Sequence, residues 1–190
     1  MALDTDNALT TLDDVKTWCG VNNTDYDTLL TDLINSVSWQ FNSFTNRKLK
    51  ARDITAQYDG DGTNVMVLPE YPVNSITSIY IDTDRDFTED TKVTDFVFHE
   101  NGLIALDTNY FSKTVKANKI VYNAGYTTIP YDLQVACKDQ IKWLFRRHRN
   151  NQEGVQTENT LNGSVTITEA GEILTSSLEI LKRYRKGDHE

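Results

Sequence analysis

Cysteine is scarce in this 190-residue chain, and its scarcity removes one class of protein at once. The two present, Cys19 and Cys137, are too few and too far apart to staple a small secreted domain. Each stands in an apolar helical setting, which predicts buried free thiols. No apolar run approaches the roughly 20 residues that cross a bilayer. The opening Met1-Ala2-Leu3-Asp4-Thr5-Asp6 has neither the basic nor the apolar region of a secretory signal. These absences predict a protein with no membrane partner, made in a reducing compartment.

Positive charge is also in short supply. The 19 Lys and Arg against 28 Asp and Glu leave a net charge of −9. Residues 1–46 hold seven Asp and one Lys, while residues 137–190 hold nine basic and eight acidic groups. A protein that grips duplex DNA needs a basic footprint to displace counterions, so that class is disfavoured. A protein that surrounds DNA without holding it is compatible with this balance.

Catalytic signatures are missing as well. The chain has no phosphate-cradling GxxxxGK[ST] loop, no GxGxxG, no GxSxG and no HExxH. Its three histidines, His99, His148 and His189, lie far apart in regions of different character. An unrecognised hydrolase would need a Ser–His or Cys–His pair formed only by the fold. The best ligand-like run is Asp82, Asp84 and Asp86 with Glu89 and Asp90, since Ca²⁺ takes several carboxylate oxygens. An EF-hand loop, however, has Gly at its sixth position and Glu at its twelfth, where this chain has Phe87 and Val93. A solvated acidic turn is the favoured reading, with a Ca²⁺-dependent binding module as the alternative from another class. No catalytic residue, cofactor or resident metal is assigned.

What the chain does have is periodicity. Thr11 and Asp14 form a capping-box pattern ahead of Leu12, Val15 and Trp18, and Gly20 can end that helix. Thr24 and Asp27 repeat the pattern before Leu29, Leu30, Leu33, Ile34, Val37, Phe41 and Phe44, whose steps of three and four predict a long helix to about Asn46. From Asp53 the texture turns to strands. Ile54–Tyr58 and Val65–Leu68 flank Asp59-Gly60-Asp61-Gly62, which reads as a hairpin turn; Asp95–His99 and Leu103–Asp107 flank Asn101-Gly102. Ser75–Asp82 alternates with Ile76 and Ile79 out of phase, and Ile120–Tyr122 reads as a last strand. Helix returns after Pro130 with Leu133, Ala136, Cys137, Ile141, Leu144 and Phe145.

Residues 149–171 are polar and turn-rich, suiting a weak hairpin about Asn162-Gly163 or an extended loop. Glu172–Lys186 then reads as an amphipathic helix with Ile173, Leu174, Leu178, Leu181 and Tyr184 on one side. Arg146, Arg147 and Arg149, like Lys182, Arg183, Arg185 and Lys186, sit where cations offset a helix dipole. The expected fold class is α+β, a helical bundle with a small antiparallel β insertion between the second and third long helices. The expected divisions are 1–52 (arm and two helices), 53–126 (β insertion), 127–150 (third long helix), 151–171 (polar loop or weak hairpin) and 172–190 (C-terminal helix and tail). Nine Tyr, seven Phe and three Trp fit either contacts between copies or ordinary strand aromatics.

The order of these elements resembles a known family. Leu9-Thr10-Thr11-Leu12-Asp13-Asp14-Val15-Lys16 followed by the long helix Asp25–Asn46 is similar to the head–tail connector (adaptor) proteins of long-tailed bacteriophages. So are Val121-Tyr122-Asn123-Ala124-Gly125-Tyr126, then Ile129-Pro130-Tyr131-Asp132-Leu133, and the next helix with Ala136 and Trp143. The resemblance runs from residue 9 to about 150, and the insertion here is larger than in the simplest members.

That resemblance implies a structural, non-enzymatic virion protein at the head–tail interface, made in the host bacterial cytoplasm. It implies a ring of about twelve copies beneath the portal, closed by head-to-tail contacts. Such a ring extends the channel for passing genomic DNA, without sequence-specific binding, and offers a surface to a downstream neck or tail-completion protein. By position, the portal-docking residues would be Ile173, Leu174, Leu178, Leu181 and Tyr184, oriented by Arg183 and Arg185. The other reading of this last helix is that it completes its own bundle. Another neck or tail-completion role in the same particle is the nearest alternative function.

Overall fold

The computed structural model describes residues 2–150, 157–160, 163–166 and 173–186. They group into two compact units, one from Met1–Leu49 with Thr128–Glu190 and one from Lys50–Thr127, and each is described by itself. Among the described residues, four α-helices and three antiparallel sheets make the protein α+β.

The first unit holds the four helices and one two-stranded sheet. Helix α1 (Leu12–Cys19) starts as its sequence predicts, with the Thr11 hydroxyl accepting from the Asp14 N–H at 3.2 Å and donating to the Asp14 carboxylate at 2.8 Å. Gly20, at φ 72°, closes it. Helix α2 (Asp27–Thr45) buries Leu30, Ile34, Val37 and Phe41 along the predicted stripe. Its start differs from expectation: Tyr26 is the cap residue and makes no side-chain cap bond, while Thr24 contributes only its carbonyl, to the Asp27 N–H at 3.2 Å. Helix α3 (Tyr131–Arg149) follows Pro130, whose ring fixes an extended cap conformation where no amide donor is needed. Helix α4 spans Thr175–Tyr184, shorter than the predicted Glu172–Lys186, and Glu172 lies outside the described residues.

The N-terminal arm is held against α2. Ala8 and Leu9 are buried, the Leu9 N–H donates to Ser38 Oγ at 3.1 Å, and the Asp4 N–H donates to Asn35 Oδ1 at 2.9 Å. Two buried apolar side chains and hydrogen bonds to α2 outweigh the arm's polar sequence.

The second unit holds two sheets. β1 (Arg52–Tyr58), β7 (Asn118–Ala124), β3 (Val73–Ile81) and β4 (Lys92–Val93) form one in the order β1-β7-β3-β4. β2 (Val65–Val67), β6 (Leu103–Leu106) and β5 (Phe96–Phe98) form the other in the order β2-β6-β5. β5 and β6 pair across Asn101-Gly102 as expected. The predicted hairpin at Asp59–Gly62 does not form, because β1 pairs with β7 and β2 with β6. Long-range pairing decides the partners there, and a turn-forming sequence fixes only a change of direction.

The phase slip in Ser75–Asp82 also has a cause. Register shifts between Val73 and Ser75 and between Ile76 and Ser78 set Ile76 opposite Tyr122 and Ile79 opposite Ile120. Both isoleucines therefore reach the core despite odd spacing. That core gathers Ile79, Ile104, Phe111, Ile120 and Tyr122. Inside it the Tyr58 and Tyr122 hydroxyls share a hydrogen bond of 2.7 Å. Farther on in the chain, β8 (Thr157–Thr160) and β9 (Gly163–Thr166) pair antiparallel.

Candidate functional site

Helix α4 runs antiparallel along α3 and is tied at both ends. The Leu174 N–H donates to Gln140 Oε1 at 2.9 Å, and Tyr184 Oη donates to Asp132 Oδ1 at 2.7 Å. Between them Ser177 is small enough to let the backbones approach, and its hydroxyl donates to the Ala136 carbonyl at 3.3 Å. Just past the helix, the Lys186 N–H donates to the Thr45 carbonyl at 2.9 Å.

These ties sort the residues expected to dock a partner. Leu181 is fully buried in its own bundle, so it serves packing in this chain. Ile173, Leu174, Leu178 and Tyr184 are half-buried, and Arg183 and Arg185 are exposed. Ile173 also borders an open hollow of about 440 Å³ on α2, lined by Trp39, Phe44, Ser36, Gln40 and Ser43. Trp39 is 69% exposed there. Sequence reasoning passed over Trp39 because it falls outside the apolar stripe. That position is itself the signal, since a large aromatic on the polar face of an amphipathic helix has no core to fill.

The acidic loop is a turn. Asp82 accepts from the Asp84 N–H at 2.9 Å and from the Phe87 N–H at 2.8 Å. Those amides, Phe87 foremost, hold its carboxyl below the usual range. Arg85 and Phe87 take positive φ of 67° and 50° within the same turn. Among the described residues no three His, Cys, Asp or Glu side chains converge on a point that could hold a metal ion, so Asp82, Asp84 and Asp86 form no such cluster.

Cysteine chemistry is equally discouraged. Cys137 is buried as predicted, and loss of solvent pushes its thiol up to about 12. Cys19 is only half-buried, which departs from expectation, yet desolvation raises it too. A nucleophilic cysteine needs the opposite shift. His99 and His148 belong to different units, and His189 lies outside the described residues.

The comparisons with known proteins bear on what the chain's exposed surfaces do. The fold is similar to a chain in the neck of an empty GTA particle computed with C6 symmetry, with TM-score 0.60 and 12% identity over 96% of this chain and 92% of that one. A chain from the virion of a native gene transfer agent particle gives TM-score 0.62 at 12% identity, covering 100% and 95%. A chain from the neck of the native GTA particle computed with C12 symmetry gives 0.58 at 15% identity, covering 100% and 98%. No curated protein matches the sequence. The head completion protein family model matches residues 8–187, nearly the whole chain, and the protein belongs to that family.

Proposed function

We propose that this head completion protein is a head–tail adaptor that acts without catalysis. Its copies close into a ring of about twelve by repeating one heterologous contact. The ring sits beneath the portal at the head–tail interface, lines the passage for DNA, and presents a docking surface to the next neck or tail component. The observation that carries this reading is likeness over the full length, in family and in fold, to proteins of particle necks. The net charge of −9 agrees with a wall past which DNA must slide.

Docking on the portal is assigned to the segment from Ile173 to Arg185. Ile173 joins exposed Trp39 at the α2 hollow to offer an apolar surface, half-buried Leu174 and Leu178 follow it along the chain, and Arg183 and Arg185 give the segment charge. Leu181 and Tyr184 hold the helix in place. The test is co-sedimentation with portal-bearing heads of the same particle. Trp39→Asp with Ile173→Asp should leave the melting temperature nearly unchanged and abolish attachment. Attachment equal to wild type would remove the docking role, and attachment only to tail parts would favour another neck position.

A further inference from the structure

The strands of the smaller sheet are apolar on both faces. β2 reads Val65-Met66-Val67, β5 Phe96-Val97-Phe98 and β6 Leu103-Ile104-Ala105-Leu106. Unbroken apolar runs belong to strands covered from both sides, because a half-exposed strand alternates apolar with polar. Register assigns the faces. Val65, Ala105 and Val97 stand in one row and Val67 with Leu103 in the next. The opposite face, with Met66, Ile104, Leu106 and Phe96, packs into the core. The first face is open, with Val67 64% and Val97 54% exposed.

One register step beyond Phe96 and Leu106, Asp95 and Asp107 stand opposite each other on this same open face, and the Asp107 N–H donates to the Asp95 carbonyl at 3.2 Å. A hydrogen bond with the Asp95 carboxyl, and then its charge, raises the Asp107 carboxyl above its ordinary range. The unit that carries the face, residues 50–127, holds twelve acidic and seven basic residues. An apolar centre with a carboxylate pair at its border calls for an aromatic or aliphatic surface carrying cations.

The chain has such a surface. Tyr131, Lys138, Lys142 and Arg146 recur along α3 at steps of seven, four and four, on one side of the helix; Lys138 is buried there, so exposed Arg146 and half-buried Lys142 supply the accessible charge. Tyr131 is 73% exposed. The Lys138 ammonium lies 4.8 Å from the Trp18 ring centre and 5.9 Å from that of Tyr131, and Lys142 lies 5.8 Å from Trp18. The neighbouring carboxylate, Asp139, is held by the Trp18 indole N–H at 2.9 Å.

We infer that the open face of the β2-β6-β5 sheet receives the Tyr131–Arg146 side of α3 from a second copy. This is the contact between adjacent copies, and it rests on the ring reading above. Each copy carries both halves, so the contact is heterologous and repeats from copy to copy.

Sedimentation velocity on the full chain tests it with two variants. Val67→Lys with Val97→Lys spoils the sheet half, and Tyr131→Ala with Arg146→Glu spoils the helix half. All four positions are exposed, and thermal melts followed by circular dichroism verify folding. Should the lysines lower the melting temperature, Val67→Ser with Val97→Ser supplies the same readout. Wild type should assemble, and each variant should raise the concentration for half-assembly about tenfold or more. A mixture of the two should give a dimer and nothing larger, because one intact half of each kind remains. Unchanged assembly of both variants overturns this contact while the ring reading stands. A wild type monomeric at every concentration also overturns it and leaves the ring to the portal test. Unchanged assembly with lost portal attachment in the sheet variant reassigns the face to the portal and overturns the contact.

Discussion

Tyr184 on the last turn of α4 hydrogen-bonds Asp132 on the first turn of α3, hydroxyl to carboxylate, at 2.7 Å. With the Leu174–Gln140 bond at the other end, it fixes α4 along α3 with Leu181 inside. The helix that the resemblance marked as a docking element is thus part of its own bundle. What it can offer a partner is the half-buried start at Ile173 and Leu174 and the exposed arginines at its end.

Replacing Tyr184 by Phe removes that bond and keeps the ring. The full chain should lose about 1.5–3 kcal/mol, since the acceptor is a charged carboxylate. Urea denaturation measures it, and an unchanged midpoint would show that the tie contributes nothing.

Leu181→Ala should destabilise the helical unit by about 2–5 kcal/mol through lost burial and a cavity. Arg183→Ala, on the exposed side, should stay within about 0.5 kcal/mol. Equal effects from the two would contradict the burial pattern. The same contrast explains why a charge at Leu181 cannot test docking, because it would unfold the bundle first.

Cys137 predicts a loss of stability in alkali. Its folded thiol is raised to about 12 from an ordinary value near 9, so the folded state keeps a proton that the unfolded state releases. Stability is fully present below pH 9 and falls from there to about pH 12, by roughly 1.4 kcal/mol per pH unit. Tyr58 and Tyr122 shift the same way from higher starting values, so between pH 9 and 10 the slope belongs to the two raised thiols, Cys137 and Cys19, and the Cys137 variant separates them. Cys137→Ala should flatten the slope there; an unchanged slope would assign it elsewhere.

Gly125 tests the sheet unit. It holds φ at 111°, and a side-chain carbon there would come within 2.6 Å of the Lys50 carbonyl oxygen and 2.8 Å of Ala51 Cα. Both obstacles are backbone. Gly125→Ala should cost the unit more than about 1 kcal/mol, a figure that covers left-handed strain alone. A melt equal to wild type would refute the close approach.

The helices were legible because their signal is local. Leu30, Ile34, Val37 and Phe41 repeat at steps of three and four, and the same residues are buried in α2. The sheets were legible only in part. Asn101-Gly102 joins neighbouring strands, so short-range turn chemistry sufficed, whereas Asp59–Gly62 separates strands of different sheets. β7, central to its sheet, pairs with β1 from some sixty residues away, as Ala56 opposite Ile120 shows. No short-range pattern announces such a partner. Of the candidate surface, the α4 residues were readable as an apolar stripe, but whether that stripe faced outward was not. Leu181 was decided by the presence of α3, and Trp39 emerged only once the occupied face of α2 was known.

The central claim is that this chain acts by assembling with itself and with adjoining parts of a particle. Electron microscopy of the purified full chain mixed with the portal of its own particle measures that most directly. The account predicts rings of about twelve copies stacked coaxially on the portal. Single copies scattered beside bare portals, at concentrations where the chain remains folded, would contradict it.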